Sequence, residues 1–186
     1  MLEAQARLAV DGSRAQLAIV VGEAGMGKTR LASEAAHSME LTFGAEVIEG
    51  RCLPYGEANV WWPIADLIRQ LFDIPPDAYI DAAEDILRPA LAARLDAASA
   101  RDLDRTATAL LHALGYDTPL RGGDRNRNRS EVKLAFTTVL ETDLVHSPVV
   151  MVLSDMHWAA AAVWELVDHL LTELARNRLM VVATSR

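Results

Sequence analysis

The segment Gly22-Glu23-Ala24-Gly25-Met26-Gly27-Lys28-Thr29 constrains this chain more than any other. It satisfies the Walker A pattern G-x-x-x-x-G-K-[ST], and it lies between the apolar run Leu17-Ala18-Ile19-Val20-Val21 and a stretch of helical spacing. Glycines let backbone N–H groups turn inward around an anion. A helix starting near Gly27 adds its unpaired N–H groups and the positive end of its dipole. Lys28 then reaches the outer phosphates as a point charge, and the Thr29 hydroxyl ligates a magnesium ion bridging their oxygens. The expected nucleotide-binding set is Gly22, Glu23, Ala24, Gly25, Met26, Gly27, Lys28, Thr29 and Arg30, with ATP and Mg2+ as cofactors. The bland alternative is a glycine-rich turn capping an ordinary helix.

The surrounding pattern is that of an α/β chain. Leu17 to Val21 is a continuous apolar run, as expected of a parallel strand buried on both faces. Before it, Ala4, Leu8 and Ala9 have helical spacing and end at the turn signal Asp11-Gly12-Ser13. After the loop, Leu31, Ala35 and Met39 define the buried stripe of a helix. Ala45 to Gly50 reads as a second strand stopped by Gly50, followed by an irregular aromatic stretch from Arg51 to Trp62. From about 63 to 145 the chain reads as a mainly helical insertion, broken at Pro75-Pro76, Pro89 and Gly115. Within it, Pro119 to Asn128 is a polar loop, and Ser130 with Lys133 opens a helix running to about Val145. Val149 to Leu153 is a third buried strand. A helix with Val163, Val167, Leu170, Leu171 and Leu174 on one side follows at once, and Leu179 to Thr184 is a fourth strand. Strands alternating with helices predict a parallel sheet covered on both faces, within one domain over residues 1–186.

A hydrolysing site needs acidic groups at the end of a neighbouring strand, one for the magnesium shell and one to polarise water. The third strand ends in Ser154-Asp155-Met156, so Asp155 is the single obvious candidate for either role. Its other reading is as the N-cap of the helix that follows.

Bulk properties restrict the partners. The 186 residues, 51% apolar and 24% charged, suit one globular domain, and the net charge of −8 disfavours broad attraction to nucleic acid or anionic membranes. Cys52 is the single cysteine, which excludes an internal disulfide and fits a cytoplasmic location. No stretch approaches the roughly 18 apolar residues of a membrane span, and the N-terminal residues lack a secretory pattern.

Four segments together carry a more particular likeness: GEAGMGKTRL at Gly22 to Leu31, GRCLPYG at Gly50 to Gly56 with Trp62-Pro63 after it, DMHWA at Asp155 to Ala159, and Thr184-Ser185-Arg186. They resemble the ATPase module of the AAA-like and STAND signalling ATPases in large bacterial multidomain regulators. Some of those proteins carry a class III cyclase domain before the module, others a LuxR-type helix-turn-helix behind it. The resemblance implies a three-layer P-loop fold of the ASCE type and makes Lys28 and Thr29 the phosphate and magnesium contacts. It also makes Asp155 one of two Walker B acids and Arg186 a sensor arginine near the γ-phosphate. The implied catalytic set is Lys28, Asp155 and Arg186, and the implied metal ligands are Thr29 and Asp155. The chain departs from that pattern at Ser154 and Ala160, where the family usually has acids, a change that bears on hydrolysis more than on binding. The family also has a Val-Gly-Arg segment before the first helix, and a fifth strand and helical lid beyond Arg186. The fold is therefore expected to be truncated before that strand and lid, with Leu17 to Val21 at a sheet edge and lower stability for the piece than for its full protein.

These readings support an ATP-binding, weakly hydrolysing switch domain of a larger regulatory protein. The alternatives are a non-hydrolysing nucleotide scaffold and a P-loop small-molecule kinase. Expected partners are ATP and ADP, the output and lid domains of the same full-length chain, and a second copy in a homo-oligomer, with no membrane and no direct nucleic acid contact. Arg121, Arg125, Arg127 and Arg129 form a basic loop that could serve as an arginine finger but needs no partner. One of Tyr55, Trp61 and Trp62 could border the adenine or simply fill the core.

Overall fold

A computed structural model of the chain describes residues 2–54, 60–95 and 99–186. Tyr55, and with it part of the GRCLPYG segment, lies outside the described residues. In chain order the elements are α1 (Leu2–Val10), β1 (Gln16–Val21), α2 (Lys28–Phe43), β2 (Glu46–Arg51), α3 (Trp62–Phe72), α4 (Ile80–Arg94), α5 (Ala100–Ala113), α6 (Arg125–His146), β3 (Val149–Ser154), α7 (Ala161–Glu173) and β4 (Leu179–Ser185). The four strands form one sheet in the order β1-β4-β3-β2, and every pairing is parallel.

Side-chain alternation along the two central strands builds two separate cores. Val150 and Val152 of β3, with Met180 and Val182 of β4, pack beneath Ala6 and Ala9 of α1 and Ala32, Ala36 and Met39 of α2. Val149, Met151 and Leu153, with Leu179, Val181 and Ala183, join a larger cluster built from α3 to α7. Successive residues of a strand point to opposite faces. A strand apolar at every position is thereby buried on both sides, as all six residues of β3 are. The fold is a three-layer α/β sandwich.

β1 departs from the reading of its apolar run. Among the described residues it pairs only with β4, and Ile19 and Val21 are 47% and 66% exposed, so it is an edge strand of the sheet. This matches the edge position implied by the resemblance. On α2 the buried stripe is Ala32, Ala36 and Met39: Met39 is buried as expected, the neighbours of Leu31 and Ala35 take the places expected of those two, and Leu31 is exposed beside the open β1 edge.

Other boundaries also differ. Pro89 lies inside α4 rather than ending it. α6 begins at Arg125, because the Asp124 carboxylate accepts the Arg127 N–H at 2.7 Å and caps the helix. Arg125, Arg127 and Arg129 therefore sit on the first turns of a helix, not in a loop, and only Arg121 precedes it. Arg129 pairs with Glu165 at 3.7 Å and Arg121 with Asp117 at 3.4 Å. A short 3-10 turn, Met156–Trp158, separates β3 from α7, so the helix after Asp155 starts later than expected.

The outer edge of β2 is closed by side chains of α3. The Gln70 amide accepts the Glu49 N–H at 2.9 Å and donates to the Glu49 carbonyl at 2.6 Å, taking the place of a neighbouring strand. The Asp66 carboxylate accepts the next outward N–H, that of Arg51, and burial raises its pKa against the opposing pull of Arg69 and that N–H. Gly50 does not stop β2 but permits this contact: a Cβ there would run into the Pro63 carbonyl at the start of α3. Gly50→Ala is expected to destabilise the protein by about 1–3 kcal/mol, the usual cost of overpacking against backbone. Urea unfolding that gives an unchanged midpoint would contradict this contact.

Candidate functional site

The carboxyl ends of all four strands converge on one side of the sheet, where open parallel sheets bind ligands. From β1 the chain enters the loop 22–27, in which Gly25 and Gly27 have φ of 81° and 79°. No atom crowds either position, so it is the left-handed backbone rather than space that requires glycine there. α2 then starts at Lys28 without any side-chain cap, and the first N–H groups of its opening turn face the loop.

Lys28 folds back over the loop. Its Nζ donates to the carbonyls of Gly22 and Glu23 at 2.7 and 2.8 Å, which holds the ammonium at the loop mouth. The Gly22 N–H donates to the Ser185 carbonyl at 3.3 Å and continues the β1–β4 ladder, tying the loop to the end of β4.

A cavity of about 500 Å³ opens between these strand ends. It brings together Ala24, Gly25, Gly27, Lys28 and Thr29 with Asp155 and Arg186, although Asp155 is 127 positions from Lys28 in sequence (155 minus 28). The other loop residues do not line it. Gly22 and Glu23 act through their carbonyls, Met26 is 72% exposed, and Arg30 turns outward to pair with Glu34 at 3.2 Å.

Asp155 follows the last residue of β3 in left-handed backbone conformation, φ 58°. Its N–H donates to the buried Thr184 hydroxyl at 3.1 Å, which links the ends of β3 and β4. Its carboxylate makes no capping bond to the turn that follows. Instead Oδ2 accepts Nε of Arg51 at 3.0 Å, so the capping reading of Asp155 finds no support in the geometry.

Arg51 was not singled out in the sequence, yet it lines the same cavity. The available signal was its position just after Gly50, at the carboxyl end of a strand. Ser154 shares the α2 face of β3 with Val150 and Val152, two and four positions back. It lines, together with Thr29, an adjoining cavity of about 870 Å³ bordered by Arg51.

Hydroxyl and carboxylate oxygens are the donors magnesium takes, and it is usually held by one or two carboxylates plus substrate phosphates. Thr29 and Asp155 on one cavity, with Ser154 on the adjoining cavity that Thr29 also lines, supply that kind of donor set. Cys52, Leu53, Pro54 and Trp158 line the same cavity and also an adjoining apolar one, in which Trp62 is half exposed, while Trp61 is buried in the core. Cys52 is buried, and burial followed by the Asp155 charge pushes its thiol up to about 11.

A strand, a glycine-turned loop with a lysine at its end, and a helix, set beside an acid at the end of a second strand, define a P-loop nucleotide-binding module. The AAA ATPase domain family matches residues 2–182, and the chain belongs to that family. A search of curated proteins finds no match to it. Among the described residues no helix is long and apolar enough to cross a membrane.

The raised thiol pKa has a direct consequence. At pH 8 the thiolate fraction of Cys52 is small, so iodoacetamide is expected to label the native protein far more slowly than the urea-unfolded chain. Equal labelling rates would show that the thiol is neither buried nor suppressed.

Proposed function

We propose that the chain is an ATP-binding, weakly hydrolysing switch domain within a larger signalling protein of the cytoplasm, formed by residues 1–186 with a helical insertion at about 63–145. The observation that carries this reading is the shared cavity of Lys28, Thr29, Asp155 and Arg186 at the strand ends. In this reading the loop amides and the Lys28 ammonium hold the triphosphate, because N–H groups and a cation are the donors a phosphate chain accepts. Bound magnesium supplies neutralisation of charge on the outer phosphate oxygens. Thr29 and Asp155 would hold that ion, and Arg186, at the end of β4 on the same cavity, would supply a cation to the γ-phosphate. Output and lid domains, and a second copy of the chain, are the proposed partners.

A second reading, a scaffold that binds nucleotide without turnover, is favoured by Ser154. A serine on the α2 face of β3 offers a neutral hydroxyl where a second carboxylate would bind the ion or polarise water.

Binding calorimetry with ATP, ADP and GTP, with and without magnesium, tests the nucleotide reading. The wild type is expected to bind ATP at least about tenfold more tightly than Lys28→Ala, the loss of one charge-assisted contact. Indistinguishable affinities would remove the proposal. Single-turnover hydrolysis separates the two readings: a rate above that of Lys28→Ala supports the switch, and a rate equal to it supports the scaffold. Ser154→Asp is expected to raise the rate in either case.

A further inference from the structure

α3 carries two stripes. Ile64, Leu67, Ile68, Leu71 and Phe72 face the core, while Asp66, Arg69, Gln70 and Asp73, three and four residues apart, form a polar stripe along the outer edge of β2. Asp66 and Gln70 are spent there as stand-ins for a strand partner. The carboxylates of Glu49 and Asp73 make no hydrogen bond or ion pair among the described residues. All of these groups border the cavity of about 870 Å³. It follows the stripe for roughly 10 Å, at about 1.5 Å per helical residue, and ends at Pro75 and Pro76.

Arg69 is short of partners. Its side chain is only 17% exposed, and its one ion pair, Nη1 to Oδ1 of Asp66, is 3.4 Å long. Its Nε is buried and has no hydrogen-bond partner. A guanidinium has several N–H donors and cannot shed its charge, so taking it out of water calls for more acceptors than Asp66 supplies. What remains exposed of the side chain opens on the cavity. A simple anion is the wrong ligand, because Glu49, Asp66 and Asp73 set three carboxylates against Arg69 and Arg51, and Arg51 is already held by Asp155. A simple cation would leave Arg69 as it stands. Charge balance calls for both signs on one molecule.

We propose that this cavity is a binding site for a free α-amino acid with an apolar side chain. The carboxylate pairs with Arg69, the ammonium with Glu49 and Asp73, and the side chain rests on Pro75 and Pro76. The cavity shares Thr29 and Arg51 with the nucleotide cavity as a common border, but the proposal does not depend on what the nucleotide cavity binds.

The test is calorimetry of the nucleotide-free chain with L-leucine and three analogues that each lack one part. Glycine lacks the apolar side chain, 4-methylpentanoate the ammonium, and 3-methylbutylamine the carboxylate. Leucine is expected to bind saturably and each analogue at least about tenfold more weakly, the scale of one lost charge-assisted bond or one lost buried alkyl group. Arg69→Gln is expected to weaken leucine by about tenfold or more. Since that change also takes the cation from Asp66, the double variant Glu49→Gln, Asp73→Asn gives a second measurement. Both substitutions keep side-chain shape, and asparagine tolerates the left-handed φ of 52° at position 73. In the double variant the advantage of leucine over 4-methylpentanoate is expected to shrink to about threefold or less. No saturable heat from leucine, an analogue that matches it, unchanged affinity in Arg69→Gln, or a double variant that keeps the full advantage would each overturn the proposal.

Discussion

The site depends on the register of β3 and β4. Both strands are apolar at nearly every position, and odd and even residues belong to different cores: Val149, Met151 and Leu153 on one side, Val150 and Val152 on the other. A slip of one residue would exchange the two sets and force every side chain into the wrong layer. It would also move Asp155 by about 3.3 Å along the strand, away from Arg51 and the Lys28 loop. Packing energy far larger than any bond in the cavity thus decides where the cavity residues sit. The weak local bonds, such as Asp155 N–H to Thr184, only trim what the sheet has placed.

How much of this is readable beforehand follows from which forces are local. The loop 22–29 is legible because each residue type answers to a short-range need: a left-handed backbone at Gly25 and Gly27, a charge at Lys28, a hydroxyl at Thr29. The strands are legible as apolar runs. Their neighbours are not, since pairing is a long-range matter: nothing within Leu17 to Val21 distinguishes an edge from a centre, and the run reads as buried although Ile19 and Val21 are exposed. Pro89 misleads for a related reason. A proline costs one hydrogen bond to the carbonyl four residues earlier, and the core contacts of Leu87 and Leu91 on the same helix outweigh that local cost.

Arg51 illustrates the limit most plainly. An arginine just after a glycine at a strand end is only a weak local signal, and the partner that gives it meaning, Asp155, is 104 positions away. Ser154 is the reverse case: its departure from the family pattern is visible in the sequence, while its consequence depends on which face of β3 it occupies. The parity of the strand answers that, and sets it with Thr29 beside the larger cavity.

The two margins of the sheet are unlike, and that inequality gives the molecule a direction. Along β2 an amide side chain imitates a backbone partner, occupying the very groups through which another ribbon would dock. Along β1 no such plug occurs among the described residues, and apolar side chains stand beside the bare ladder. Lateral growth of the sheet is thus permitted on one flank and refused on the other, and any addition lands next to the strand that feeds the phosphate loop.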